Sequence, residues 1–223
     1  MAGCIYLILA VMIGWKITGS ILSEQKMKEK GITALWVRFP AAFGCGILLQ
    51  TWAVYIAAWV LSVYKGTKTP LFGANLLVMG IIFVVLAVQF YQKKKKEKAQ
   101  LFNFADKMPP VRETIFFLIL LCFITWIMFY VLHFKNGYLY SGFSVFGDYA
   151  PHTAMMRSFS AGNNFPTQYP HFGGEDVKYH FMFQFLSGNL EYLGMRLDIA
   201  YNSVSILALW CFFMMLYSIS QRI

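Results

Sequence analysis

The chain predicts an all-α integral membrane protein, with about five transmembrane helices and an outer-face loop that carries two short interfacial helices. Three observations lead there. Of its 223 residues, 58% are hydrophobic and only 13% charged, where a soluble domain averages roughly 45–50% apolar and about 25% charged. Uncharged runs of bilayer-spanning length recur along the chain, each bounded by charge, and the basic residues gather beside those runs asymmetrically. A water-soluble globular fold, disorder and a collagen-like repeat are excluded by the same composition.

A spanning helix needs about 20 mostly apolar residues. Met1–Leu22 is the first such run, interrupted only by Lys16, whose long stem can carry its charge toward an interface. It lacks the basic start and small-residue cleavage site of a signal peptide, so it reads as a true span. Phe39–Tyr64, Thr69–Gln92 and Thr114–Phe134 follow, and Ile199–Gln221 closes the series. Residues 1–134 therefore form a unit of four transmembrane helices with basic loops, 135–198 a loop outside the membrane, and 199–223 a fifth helix. Because the chain stops just after that helix, the pattern predicts an amino-terminal piece of a larger polytopic protein.

Lysine and arginine accumulate in cytoplasmic loops. Lys26, Lys28, Lys30 and Arg38 separate spans 1 and 2; Lys93–Lys96, Lys98, Lys107 and Arg112 separate spans 3 and 4. With Arg222 these make twelve basic residues on one side against six on the other, Lys16 left aside. The amino terminus and Lys135–Asp198 are thus expected outside the cell membrane. On this reading the net charge of +9 is a topology signal and implies no nucleic-acid partner. Cys4, Cys45, Cys122 and Cys211 each stand alone in apolar stretches without ligand spacing, as small packing residues do.

Any chemistry is expected in the outer segment, which holds three of the four histidines and five of the ten acids. Asp148 precedes Tyr149-Ala150-Pro151, and a proline in the first turn behind an aspartate marks a helix start, here running to about Gly162. Pro166, Pro170, Gly173 and Gly174 make Asn163–Gly174 a loop. Asp176 is then expected to cap a second helix, Val177–Leu193, stopped by Gly194. On the first helix Asp148 and His152 lie one turn apart on one face, while Arg157 falls about 180° away. Asp148 either caps that helix or joins His152 in a site. On the second, His180, Gln184, Ser187 and Glu191 form a polar stripe among large apolar residues, meeting either water or a common cavity.

Gly147-Asp148-Tyr149-Ala150-Pro151-His152, Ser158–Pro166, Tyr169-Pro170-His171 and Lys178-Tyr179-His180-Phe181 together resemble the outer-loop pattern of bacterial polytopic glycosyltransferases of the GT-C superfamily, which includes protein mannosyltransferase and lipid A arabinosyltransferase relatives. The resemblance spans about Phe146 to Gly194. That family's reactive loop usually follows its first span, whereas here three spans precede the one leading into it, as in an amino-terminally extended member.

The resemblance implies transfer of a sugar from a polyprenyl-phosphate donor to an acceptor at the outer face of the bacterial cytoplasmic membrane. Asp148 would be the general base, with His152 and His180 beside it. Arg157, His171, Lys178, Tyr179 and Glu191 would bind substrate. No closed metal-ligand motif is present; a divalent ion at Asp148, His152 and a loop acid is the one cofactor these residues suggest. The competing reading is a non-catalytic transporter, lipid-flipping or assembly subunit. A transporter favours ionisable residues within its spans, and the four uninterrupted spans hold only His133 besides tyrosines and cysteines.

Overall fold

The computed structural model describes residues 2–22, 27, 29, 31–96, 109–143 and 145–221, the side chains of 93–96 and 146 excepted. Lys26, Lys28, Lys30, Lys98, Lys107, Arg222 and the side chains of Lys93–Lys96 lie outside the described residues. In chain order the elements are α1 (Ala2–Ile21), α2 (Ala34–Lys65), α3 (Pro70–Lys96), α4 (Val111–Val131), β1 (Leu132–Lys135), β2 (Tyr138–Ser141), α5 (Phe146–Ser160), α6 (Met182–Tyr192) and α7 (Leu197–Ser220). Five of them, α1 to α4 and α7, are long and apolar enough to cross a membrane. The protein is an all-α membrane protein, as its composition predicts.

The long helices α1, α3 and α7 all pack on α2, and so does the short helix α6. The α1–α2 contact is backbone on backbone. A Cβ on Gly14 would lie 1.9 Å from the Ala42 carbonyl oxygen, and one on Gly46 would lie 1.8 Å from that of Ala10. Small residues at both positions are what let membrane helices approach this closely. At 32 residues α2 is about 48 Å long, well over the ~30 Å hydrocarbon layer, so it has length to spare for seating the loop beyond. Its end is closed by Gly66 at φ 60°, with Gly66 and Thr67 N–H donating to Ser62 and Leu61 carbonyls, a left-handed helix stop.

Polar ties at both ends show that the long helices alternate in direction. At the loop end, Gly3 N–H donates to the Leu193 carbonyl at 3.3 Å, and Asn163 Nδ2 donates to the Lys68 carbonyl at 2.7 Å. At the far end, Glu113 at the start of α4 accepts from Thr33 Oγ1 at 2.9 Å, Trp36 Nε1 at 2.6 Å and Gln221 Nε2 at 3.3 Å. The starts of α2 and α4 and the end of α7 therefore share one carboxylate.

The fourth span is shorter than its apolar run. The helix stops at Val131 instead of Phe134, and Leu132–Ser141 forms an antiparallel hairpin, so the expected boundary at 134/135 falls inside β1. Asn136 and Gly137 have φ of 51° and 83°, as a two-residue primed turn requires. The start of α7 receives the outer edge of β1: Asp198 Oδ2 accepts from Phe134 N–H at 2.9 Å, and Asn202 Nδ2 donates to the Leu132 carbonyl at 2.8 Å. Asp198 is fully buried and also holds Arg196 through both oxygens, at 2.6 and 2.8 Å. Side chains of α7 thus supply the hydrogen bonds that a longer α4 would have made internally.

The candidate site at the loop end

The loop between α5 and α6 is plugged into the end of α2. Phe165 packs with Tyr55, Phe159 and Phe185 at centroid distances of 5.9, 5.6 and 6.1 Å. Ser62 Oγ donates to the Phe165 carbonyl at 2.8 Å, and the Tyr55 and Thr167 hydroxyls are paired at 2.8 Å. Asn164 accepts from Gln168 N–H and donates back to its carbonyl, turning the chain outward. The Asn-Asn-Phe-Pro-Thr stretch is therefore an anchor, held by burial and by hydrogen bonds to a spanning helix.

On that anchor α5 and α6 pack against each other. Gly188 makes the contact possible: a Cβ there would lie 2.4 Å from the Met156 carbonyl oxygen. The polar stripe of α6 lies at this interface. Gln184 and Ser187 are buried, at 3% and 0% exposure, so of the two readings of the stripe they take the inward-facing one. Gln184 Nε2 lies 2.5 Å from His152 Nδ1, so the buried amide of α6 meets the imidazole of α5. Glu191 accepts from Arg157 Nη1 at 2.8 Å and from Ser160 Oγ at 2.6 Å. Glu191 is thus paired across the interface, whereas Gln184 Oε1 and Ser187 Oγ are buried without a hydrogen-bond partner among the described residues.

Asp148 sits in the first turn of α5 and is exposed. The residue in the capping position is Val145, and among the described residues the Asp148 carboxylate accepts no hydrogen bond. The helix begins at Phe146, two residues earlier than expected. Tyr149 and Tyr201 meet edge to face at 5.4 Å, and Phe183 packs on Tyr201 at 5.0 Å; burial pushes the Tyr149 phenol up, so it stays neutral.

The second helix begins at Met182, not Val177. Asp176 caps nothing; it pairs in an extended bridge with Gln168, and Tyr169 N–H donates to the Glu175 carbonyl at 2.9 Å. This closes the base of a projecting loop that carries His171; Lys178, Tyr179 and His180 follow it in the irregular stretch before α6, and all four are exposed. His180 therefore leaves the α6 stripe. Its ring lies 3.8 Å from that of Tyr179, and His171 lies 5.2 Å from Tyr169.

The predicted site residues thus fall into three groups: Asp148 and His152 on α5, the Arg157–Glu191 pair between α5 and α6, and the loop group His171, Lys178, Tyr179 and His180. Among the described residues no hydrogen bond or ion pair joins the loop group to Asp148 or His152. Nor do any three His, Cys, Asp or Glu residues come together as a metal-ligand set, so the donors at Asp148 do not fit a protein-held ion. Gln184, which orients His152, was legible only as one polar member of the α6 stripe; Tyr201, from a different element, carried no local signal. Comparison with family models, with curated proteins and with solved structures found no match.

Proposed function

We propose that this protein is a membrane glycosyltransferase acting at the outer face, taking a sugar from a polyprenyl-phosphate donor, with Asp148 as general base. The observation that supports this best is the condition of Asp148. Its carboxylate stands exposed, without a capping hydrogen bond, one turn from an imidazole whose orientation a buried amide holds. A carboxylate that serves the fold would be engaged, as Asp198 is.

The acceptor hydroxyl attacks the anomeric carbon, its proton passes to Asp148, and the bond to the donor phosphate breaks with the electron pair leaving on phosphate. The His152 imidazole stabilises that departing oxygen by a hydrogen bond. Lys178 and His180 supply positive charge or hydrogen bonds from the stretch leading into α6, whereas the Arg157 charge is already directed at Glu191.

The test is Asp148→Asn in the full chain, assayed for transfer from a panel of polyprenyl-phosphate sugars, with Asp176→Asn as the matched control. Loss of a general base predicts a fall of about 10²–10⁴-fold with unchanged melting. Near-normal transfer by Asp148→Asn, or equal loss by both variants together with expression, removes the assignment.

A further inference from the structure

The polar side chains of α6 reach in two directions. Gln184 and Glu191 bond to α5, whereas Asn189 turns to α3 and meets Asn75. The two amides pair reciprocally: Asn75 Nδ2 donates to Asn189 Oδ1 at 2.6 Å, and Asn189 Nδ2 donates to Asn75 Oδ1 at 3.0 Å. Asn75 Nδ2 also donates to the Leu71 carbonyl at 2.9 Å, so both of its hydrogens and its oxygen are engaged. Asn75 stands about 8 Å along α3 from Pro70 at the helical rise. It is 3% exposed and Asn189 0%, so solvent cannot stand in for either partner and the pair is directional and costly to break.

Other contacts hold α6 without fixing its rotation. Gly3 N–H binds the Leu193 carbonyl just past its end, and Phe185 packs on Tyr55 of α2 at 5.2 Å, an apolar contact with little directional preference. Asn189 is the α6 side chain that hydrogen-bonds to the spanning helices. It follows Gln184 by five residues, which places the two about 140° apart around the helix at 100° per residue. One points to α3 while the other points to His152. A turn of about 20° would carry a side-chain end about 6 Å from the axis through about 2 Å, more than a hydrogen bond tolerates. The grip of Asn189 on Asn75 therefore sets the aim of Gln184.

We infer that Asn75 is a positioning residue for His152: from within α3 it fixes the rotation of α6 through Asn189, and so keeps the Gln184 amide against the imidazole. The consequence for transfer rests on the function proposed above, whereas the position of the imidazole is read without it.

The test compares Asn75→Leu with the double variant Asn75→Leu/Asn189→Leu in the full chain, its histidine rings labelled with nitrogen-15 and the His152 signal assigned by its loss in His152→Gln. Asn75→Leu strands the buried Asn189 amide and should lower the melting midpoint, while the double variant, with both partners apolar, should recover it. Tyr6 keeps Thr51 as its acceptor in either. Despite that recovery the His152 signal of the double variant should shift or split, and its kcat should fall about 10²-fold with KM unchanged. If the leucine pair does not fold, Asn75→Ala/Asn189→Ala carries the same comparison without added bulk. A wild-type midpoint in Asn75→Leu, a wild-type His152 signal in the double variant, or a displaced signal with wild-type kcat overturns the proposal. Absence of any transfer by the unaltered chain removes the glycosyl-transfer reading instead, and the His152 signal then decides the positioning.

Discussion

Gly188→Ala should separate α5 from α6. The added Cβ would sit 2.4 Å from the Met156 carbonyl oxygen and 3.3 Å from Phe159 Cβ. Comfortable contact begins near 3.5 Å, so α5 must retreat by about 1 Å. Overpacking of this kind costs about 1–3 kcal/mol, toward the upper end here because the obstacle is backbone and cannot change rotamer. Alanine returns about 1 kcal/mol through its helix propensity, leaving a net loss of about 1–2 kcal/mol. Gly44→Ala is the control: its Cβ would meet nothing within 4 Å, so only the propensity gain remains and the sign reverses. Thermal unfolding in one detergent compares the two. Because Asp148 and His152 are carried on α5, a shift of about 1 Å should also lower transfer by about 10²-fold. Midpoint shifts of the same sign and size in both variants would refute the close approach. A destabilised Gly188→Ala with full activity would show that the seating of α5 is irrelevant to the chemistry.

Asp198→Ala leaves the Phe134 and Ile199 N–H groups without their charged acceptor and should destabilise the protein by at least about 2 kcal/mol, read as a lowered melting midpoint; a change under 0.5 kcal/mol, on the order of an unremarkable surface substitution, would contradict the latch. Tyr55→Phe removes the hydroxyl pairing with Thr167 and should cost about 1 kcal/mol while speeding proteolytic cleavage in the projecting loop; an unchanged cleavage rate would mean the loop is held elsewhere. In a chain whose four native cysteines are replaced, a membrane-impermeant thiol reagent applied to intact cells should label a cysteine at position 163 and not one at 100, following the bias of basic residues; the reverse labelling would invert the orientation.

The spans were legible because each is an apolar run closed by charge, and hydrophobic length is what a bilayer selects. The hairpin was missed although Asn136-Gly137 between short apolar stretches is a strong turn signal, because the run of α4 flows into β1 without a charge to mark the change. The start of α6 was misplaced for a different reason. Asp176 stands where a cap would stand, but its backbone is paired with Gln168, eight residues away, and local pattern carries no trace of such a pairing. The stripe on α6 was visible while its partner was not: Arg157, Ser160 and His152 read as unrelated residues until the two helices are laid together. That Arg157 and Asp148 occupy opposite sides of α5 followed from helical geometry alone, and Arg157 does turn to Glu191.

The carboxylate at the far end of the bundle also implies an order of assembly. Glu113 joins Thr33 to Gln221, residues 188 apart in the chain, so its set of hydrogen bonds cannot close until α7 has left the ribosome. Before then α1, α2 and α3 can already pack on one another through their own contacts, while α4 waits with a polar foot and few buried residues, chiefly Phe117 and Ile124. The arrival of α7 supplies the neighbour for α4, the edge groups for β1 and the final donor for Glu113 together. Completion of the bundle and docking of the hairpin are thereby one event, which follows the seating of the α5–α6 loop on α2.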